Sequence, residues 1–212
     1  MWHIQSFVFG PFQENTYLLY TDNRECVIID PGCYYEEEKS QLLHYISEHT
    51  LLPRILVNTH CHLDHVFGNK MVSDQFGLTL HLHPKEETVL SMAPASGLMF
   101  NLPFDNYQGA FKFLKAGDWV EISGDRLEVI EAPGHSPGSI CLYSAAQQFL
   151  IGGDVLFNRS IGRTDLPGGN HETLLHSIRE RLFVLPDDTV VYSGHGEKTT
   201  LGEEKRFNPF LQ

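Results

Sequence analysis

The sequence predicts one domain of the mixed α/β (α+β) class, and three observations support this prediction. Short apolar runs typical of strands recur along the chain, with turn residues between them. Longer segments with apolar residues at helical spacing lie among these runs. The chain has 212 residues, of which 42% are hydrophobic and 20% are charged, and this is enough for one substantial core. We therefore expect residues 1–212 to form a single domain.

The first part of the chain is predicted to be a β-meander followed by a helix. Turn residues separate three strand-like runs, which are residues 4–9, 16–20 and 26–29. Asp30-Pro31-Gly32 ends the third strand sharply. Residues 36–49 place apolar side chains at helical spacing after the acidic run Glu36-Glu37-Glu38, which suits a helix N-terminus. We interpret the acidic run as a solvated face of this helix.

A strand, a histidine-rich motif and a second helix come next. Residues 54–58 are mostly apolar and include β-branched side chains, which is typical of a buried strand. Helical spacing continues over residues 66–76, and Gly77 suits the end of that helix. A further strand is predicted at residues 78–82, and Pro84-Lys85-Glu86-Glu87 opens a short helix.

Four histidines outside the histidine-rich motif of residues 60–65 are not expected to bind metal. His81 and His83 flank Leu82 without a nearby carboxylate of the same pattern, so we interpret them as surface or second-layer residues. His171 and His176 fall within a later helical segment, and we assign both to its surface.

Residues 92–115 form a long segment with no clear periodicity. It contains two prolines and two glycines among five aromatic residues. Long irregular segments inside compact domains are often functional, so the segment could be a lid over a site. The alternative is that its aromatic residues fill an edge of the core.

The second half repeats the strand pattern of the first. Strand-like runs occupy residues 119–122, 127–131, 139–143 and 149–151. Asn170 is predicted to cap a helix that begins at His171, and a last strand covers residues 190–192.

Charge and cysteine content exclude several classes of protein. The net charge of −12 and the lack of a basic patch argue against nucleic-acid binding. No apolar stretch approaches a membrane span and no basic n-region opens the chain, so we expect a cytoplasmic location and no membrane contact. The four cysteines lack CxxC spacing and are predicted to be free thiols.

The motif His60-x-His62-x-Asp64-His65 carries the chemistry of this sequence. Residues two apart in an extended segment project to the same side, so His60 and His62 can hold one ion together. A turn into a helix at Asp64 would direct Asp64 and His65 toward a second ion. Imidazole and carboxylate ligands without a thiolate cage suit zinc, with iron or manganese as alternatives.

Three further ligand candidates each follow a predicted strand in a glycine-containing loop. They are His135 in the run at 132–138, Asp154 after Gly152-Gly153, and His195 within Ser193-Gly194-His195-Gly196. Glycine beside a ligand leaves room for a metal ion and a substrate. Seven candidates exceed what one ion needs, so we predict two divalent ions.

These motifs resemble those of the metallo-β-lactamase superfamily. The histidine motif is followed by His135, Asp154 and His195 in the order of that family, and the resemblance covers nearly the whole chain. The segments 153–157 and 162–169 are similar to those of small glyoxalase II-like hydrolases. The resemblance implies a four-layer αββα sandwich with the metal site at one edge of two packed sheets.

The same resemblance implies a role for each matched ligand. His60, His62 and His135 would hold the first ion, Asp64, His65 and His195 the second, and Asp154 would bridge the two. The chain ends soon after His195, without the basic helical extension of longer glyoxalase II enzymes, so we expect weaker recognition of glutathione. Arg159 and Arg163 are the nearest basic candidates for a substrate carboxylate, although Arg163 could instead pair with Asp165.

Thioester hydrolysis is the function that these expectations favour. A hydroxide shared by the two ions and held in place by Asp154 would attack the carbonyl of an acyl thioester similar to S-lactoylglutathione, and Asp64 would orient it. One enzymatic alternative is a persulfide dioxygenase that uses a single iron. A non-catalytic metal-binding or regulatory module is a second alternative, and the acidic charge disfavours a nuclease.

Overall fold

The computed structural model describes all 212 residues and has two six-stranded sheets. The strands are β1 (His3–Phe9), β2 (Glu14–Tyr20), β3 (Glu25–Ile29), β4 (Leu52–Val57), β5 (Leu80–Leu82), β6 (Phe111–Phe113), β7 (Trp119–Ile122), β8 (Asp125–Glu131), β9 (Ile140–Ser144), β10 (Phe149–Gly153), β11 (Leu156–Phe157), β12 (Ser160–Ile161), β13 (Val190–Ser193) and β14 (Thr199–Thr200). The helices are α1 (Glu36–Glu48), α2 (Leu63–Val66), α3 (Asn69–Phe76), α4 (Glu86–Met99), α5 (His171–Ser177), a π-helical turn (Ile178–Leu182) and α6 (Leu201–Phe207). The predicted α/β class is confirmed.

The first sheet has the order β1-β2-β3-β4-β5-β6. Its first three strands are antiparallel, whereas β4, β5 and β6 join in parallel. Ile29 at the end of β3 pairs with Val57 at the end of β4, so the loops that follow both strands leave the sheet at one edge. The backbone N–H of Asp30 donates to the carbonyl oxygen of Val57 at 3.0 Å and fixes this edge.

Helices α1 and α3 pack on the first sheet, and buried side chains of the helices and strands together form a core. Leu42 and Ile46 of α1 and Val72 of α3 belong to the same buried cluster as the sheet residues Ile28 and Leu56. The predicted helix over residues 36–49 is confirmed, and Gly77 ends α3 in the left-handed conformation that its lack of a side chain allows.

The second sheet has the order β14-β13-β10-β9-β8-β7. Within it β10 and β13 are parallel, and Gly153 at the end of β10 pairs with Ser193 at the end of β13. The loops after these strands, which hold Asp154 and His195, therefore leave the sheet together. Leu174 of α5 and Ile178 of the π-helical turn pack in one buried cluster with residues of this sheet. The side chain of Asn170 accepts a hydrogen bond from the backbone of Thr173, as predicted for the cap of α5.

Backbone contacts divide the chain into two compact units. The first comprises residues 1–82, 87–113 and 121–125, and the second comprises residues 83–86, 114–120 and 126–212. The assignment of residues 1–212 to one family-type domain stays a prediction.

One expectation for the local structure was wrong. Residues 86–99 form one helix, α4, where a short helix and an irregular segment were expected. Burial of Leu90 and Ala93 in the first core outweighs the helix-breaking tendency of Pro94. Farther along, Tyr107 is buried and Phe104 and Phe111 pack against the same core, which supports the core-edge alternative for those aromatics.

The acidic start of α1 is not only a solvated face. The carboxylate of Glu38 accepts hydrogen bonds from the backbone N–H groups of Gly10, Tyr34 and Tyr35. Glu38 thus caps the helix and ties it to the turn after β1, whereas Glu36 is exposed and pairs with Lys39.

None of the helices combines the length and the apolar composition that crossing a membrane requires.

Candidate metal centre

The first group of predicted ligands gathers around the start of α2. Rings of His60 and His62 have centroids 4.8 Å apart, and those of His60 and His65 are 4.1 Å apart. His62 is still extended and precedes the first turn of α2, so Asp64 and His65 already lie on the helix. His60 and His65 are buried, whereas His62 and Asp64 are partly exposed. This edge of the first sheet therefore presents several imidazoles within a small volume.

Asp30 is a member of this group that the sequence analysis did not single out. Its Oδ2 atom lies 3.2 Å from Nδ1 of His65, and its Oδ1 atom accepts a hydrogen bond from the backbone of Thr59 at 2.7 Å. Ligand atoms of Asp30, His60 and His65 all lie within 4.8 Å of one another. The sequence does place Asp30 directly after a buried strand and before Pro31-Gly32, which indicates a sharp turn. In the structure Asp30 has a φ of 48°.

Glu14 is a second carboxylate that was missed. It is fully buried, and its Oε1 atom lies 3.9 Å from Nδ1 of His65 while Oε2 accepts a hydrogen bond from Thr16 at 2.8 Å. Burial raises the pKa of Glu14 well above its usual value. Gly32 lies against this carboxylate and the backbone of Asp64, and any side chain at Gly32 would collide with both.

The second group of predicted ligands lies on the loops after β8, β10 and β13. Oδ2 of Asp154 lies 3.6 Å from Nε2 of His135 and 3.5 Å from Nε2 of His195. These separations are at or beyond the upper limit for a hydrogen bond. Ligands of one tetrahedral zinc ion, with bonds of about 2.0–2.1 Å, lie roughly 3.4 Å apart. The three side chains are therefore spaced as ligands that share metal ions.

The ring of His135 has a defined orientation. Its Nδ1 atom lies 2.7 Å from the carbonyl oxygen of Arg163, so Nδ1 carries the proton and donates it to that oxygen. The lone pair of Nε2 then faces Asp154 and is available to a metal ion. Gly162 lies against the ring and the carbonyl oxygen of Asp154, and a side chain there would push this segment away.

The donor set fits a metal ion in both groups. It consists of imidazole and carboxylate, which suit zinc, iron and manganese. All four cysteines are buried and none forms a disulfide, as the sequence predicts, and Sγ of Cys61 contacts Asn58 at 4.0 Å. In the first group His60 and His65 are buried polar side chains, and in the second group His135 and Asp154 are.

His81 and His83 were interpreted as surface or second-layer residues, and their burial shows that the surface alternative was wrong. Nδ1 of His81 lies 3.1 Å from the carbonyl oxygens of Leu56 and Thr79, and Nε2 of His83 lies 3.2 Å from Oε1 of Glu131. Burial lowers the pKa of both imidazoles. Strand β5 carries His81 within the first sheet, where pairing on both sides encloses it. His171 and His176 are exposed on α5, as expected.

Both arginines proposed for substrate binding have carboxylate partners. Nη2 of Arg159 lies 3.0 Å from Oε2 of Glu203, and its guanidinium stacks over Phe207. Nε and Nη2 of Arg163 each lie 2.7 Å from a carboxylate oxygen of Asp165, which is the ion pair considered as its alternative role. This pair lowers the pKa of Asp165 to about 2.

The family follows from comparison of the whole chain with known proteins. Residues 9–195 match the family described as the Metallo-beta-lactamase superfamily. The chain belongs to this superfamily. The predicted resemblance is thereby confirmed, and membership supports a metal-dependent hydrolase.

Individual members of the superfamily cover nearly all of the chain. The hydroxyacylglutathione hydrolase GloC of Haemophilus influenzae is 38% identical over 94% of this chain and 93% of its own length. The crystal structure of the BLEG-1 B3 metallo-beta-lactamase has a TM-score of 0.90 at 39% identity and covers 99% of both chains. TTHA1623 in a di-iron-bound form has a TM-score of 0.88 at 35% identity and covers 98% of this chain and 100% of its own. These neighbours carry the superfamily fold that the sequence predicts.

Proposed function

We propose that this chain hydrolyses small acyl thioesters with the help of two divalent metal ions. Both ions are expected to be zinc. In this proposal His60, His62 and His135 hold one ion, Asp64, His65 and His195 hold the other, and Asp154 is shared. The observation that carries the proposal is the placement of one carboxylate oxygen of Asp154 at nearly equal distances from His135 and His195. The 38% identity to a protein named hydroxyacylglutathione hydrolase supports a thioester as substrate.

The chemistry divides between the ions and the protein. Divalent ions bound at such a site lower the pKa of water toward neutrality and polarise a carbonyl oxygen. The protein holds the ligands in place: Asp30 orients the ring of His65, and the carbonyl oxygen of Arg163 orients that of His135. Asp64 is partly exposed, so its carboxylate can accept a proton or a hydrogen bond from the attacking water.

Hydrolysis of a thioester does not depend on a dedicated general acid. The thiol that leaves has an ordinary pKa near 8.5 and can depart as a thiolate close to neutral pH. Arg159 and Arg163, the basic candidates in the loop after Asp154, are both in ion pairs. An amine leaving group would need protonation, which gives thioesters the advantage on this scaffold.

A second candidate function is the hydrolysis of β-lactams. It is favoured by one observation, the 39% identity over 99% of the chain to a protein described as a B3 metallo-beta-lactamase. We place it second because a β-lactam releases an amine, which must gain a proton to leave, whereas a thiol can leave as a thiolate.

Rates on a matched panel separate these candidates. The purified, zinc-loaded chain should hydrolyse S-lactoylglutathione and simpler acyl thioesters faster than nitrocefin, and Asp154→Asn should lose most of that activity. His176→Ala is the control, because His176 is an exposed histidine outside both ligand groups. Turnover of β-lactams without turnover of any thioester would replace the first candidate by the second.

A further inference from the structure

Glu86, the first residue of α4, is a fully buried carboxylate outside the predicted ligand set. Its Oε1 atom accepts a hydrogen bond from the hydroxyl of Ser136 at 2.6 Å and another from the backbone N–H of Gly138 at 2.7 Å. These two residues lie in the loop of residues 132–138, which carries His135. A carboxylate fifty residues away in sequence thus fastens the loop on the C-terminal side of the ligand.

The opposite side of the same loop is fastened by α5. Ser177 donates a hydrogen bond to the carbonyl oxygen of Pro133 at 2.7 Å, and the backbone N–H of Asn170 donates to Gly134 at 2.7 Å. Gly134 lies so close to the backbone of Leu174 that a side chain at Gly134 would collide with it. With α5 on one side and Glu86 on the other, the backbone of His135 has little freedom.

His83 completes the surface on which the loop rests. The backbone N–H of Lys85 donates to Nδ1 of His83 at 3.2 Å, so Nε2 carries the proton and donates it to Glu131. A side chain at Gly138 would meet Nδ1 of His83 at 2.6 Å and the side chain of Glu86 at 3.0 Å. Only glycine at position 138 allows the loop to lie this close to His83 and Glu86. This close approach brings the backbone N–H of Gly138 within hydrogen-bond distance of Glu86.

We propose that Glu86 is a positioning residue for His135. It holds Ser136 and Gly138 in place so that Nε2 of His135 stays directed at the metal site beside Asp154. Removing the carboxylate would leave a buried hydroxyl and a buried N–H without their acceptor, and the loop would relax to satisfy them. His135 would then be displaced, and metal affinity would fall with little change elsewhere. The inference rests on the proposed metal centre but not on the thioester substrate.

The two hydrogen bonds meet at a single oxygen, which makes the proposal testable by a conservative substitution. Glu86→Gln keeps an acceptor oxygen that can occupy the position of Oε1, although it loses the charge and replaces Oε2 with an NH2 group, whereas Glu86→Ala loses the acceptor. We expect zinc affinity of Glu86→Gln to stay close to the parent value. We expect that of Glu86→Ala to fall about 10- to 100-fold, the range typical of residues that orient a metal ligand.

The measurements are zinc affinity by competition with a chromophoric chelator and the visible absorption spectrum of the cobalt-substituted protein. The spectrum reports ligand geometry and does not respond to a loss of stability alone. Glu204→Ala is the matched control, because Glu204 is also fully buried in the second unit and accepts backbone and side-chain hydrogen bonds from Arg159 and Asn208. It should lower stability and leave the cobalt spectrum as in the parent.

A folded Glu86→Ala protein with the parent zinc affinity and cobalt spectrum would overturn the proposal. If Glu86→Ala does not fold, Ser136→Ala tests the proposal instead, because it removes one of the two hydrogen bonds to Oε1 of Glu86. It should shift the spectrum and weaken zinc binding several-fold, and an unchanged spectrum would count against the proposal. If the parent binds metal but hydrolyses no thioester, the proposed function fails while the Glu86 effect on zinc can still be observed.

Discussion

Oδ2 of Asp30 lies 3.2 Å from Nδ1 of His65, and both side chains are buried. The pair fixes which ring nitrogen of His65 carries the proton and leaves Nε2 for a metal ion. The partner is contributed by the loop after β3, whereas His65 lies on α2.

Loss of this pair should reduce both stability and metal affinity. Asp30→Ala removes the acceptor of the Thr59 backbone and of His65, so we expect the free energy of unfolding to fall by about 1–3 kcal/mol for each buried group left without a partner. Urea denaturation of metal-free protein measures this change. Asp22→Ala is the control, because Asp22 forms an exposed pair with His3 at 2.7 Å and should contribute little. Equal effects of the two substitutions would show that the buried pair has no special role.

Metal stoichiometry distinguishes the hydrolase from the dioxygenase alternative. Seven candidate ligands exceed the three or four that one ion needs, so we expect close to two ions per chain, mostly zinc. Elemental analysis of protein prepared with zinc in excess measures the ratio. A ratio that never exceeds one, with iron as the bound metal, would favour the persulfide dioxygenase.

Asp154→Asn should weaken both halves of the proposed centre together. The amide keeps the size of the side chain but loses the charge between the two cations, which would then repel each other more strongly. We expect metal content and thioester turnover to fall in parallel. His171→Ala should leave both unchanged, and His81→Ala should leave metal content near normal while lowering stability, because His81 is buried. A folded Asp154→Asn protein with two zinc ions and the parent rate would exclude the bridging role.

The burial of His81 should make stability depend on pH. Its pKa is lowered in the folded protein, mainly because burial disfavours the charged form. Above the unfolded pKa of about 6.5 the imidazole is neutral in both the folded and the unfolded state, so the full contribution of His81 to stability is present. As pH falls below that value the unfolded chain takes up the proton first, so stability is lost. Denaturation of metal-free protein between pH 8 and pH 5 should therefore show a steeper decline for the parent than for His81→Gln. Parallel curves would rule out His81 as the cause.

The cysteines should be unreactive in the folded protein. Burial raises the pKa of Cys26, Cys33 and Cys141 to about 12, so almost no thiolate is present at pH 8. We expect little labelling by a disulfide reagent under native conditions and four labelled thiols after denaturation in urea. Rapid labelling of the native protein would mean that the two cores open on the timescale of the reaction.

Local signals in the sequence were sufficient for much of the fold. The αL residue Gly77, the cap Asn170 and the ligand loops after strands depend on residues within a few positions of one another. The burial of His81 was not predicted, because it depends on neighbours supplied by β4 and β6. Helix α4 was missed for a similar reason, since its path is set by the core that receives Leu90 and Ala93.

The residues that orient the ligands could not be found from the motif alone. Asp30 and His65 are 35 positions apart, and Glu86 and Ser136 are 50 apart. A buried glutamate and a surface glutamate look alike in a single sequence, and only the fold shows that Glu86 has no access to water. The ligands themselves were visible because several of them are adjacent in the chain.

The parallel pairing of β3 with β4, and of β10 with β13, has a consequence for how the protein folds. Ile29 must align with Val57 before Asp30 can reach His65, and Gly153 must align with Ser193 before Asp154 can approach His195. Such long-range pairings form slowly because a large loop has to close first. Metal capture should therefore be a late event in refolding, and the colour of bound cobalt would follow the completion of each sheet edge in real time.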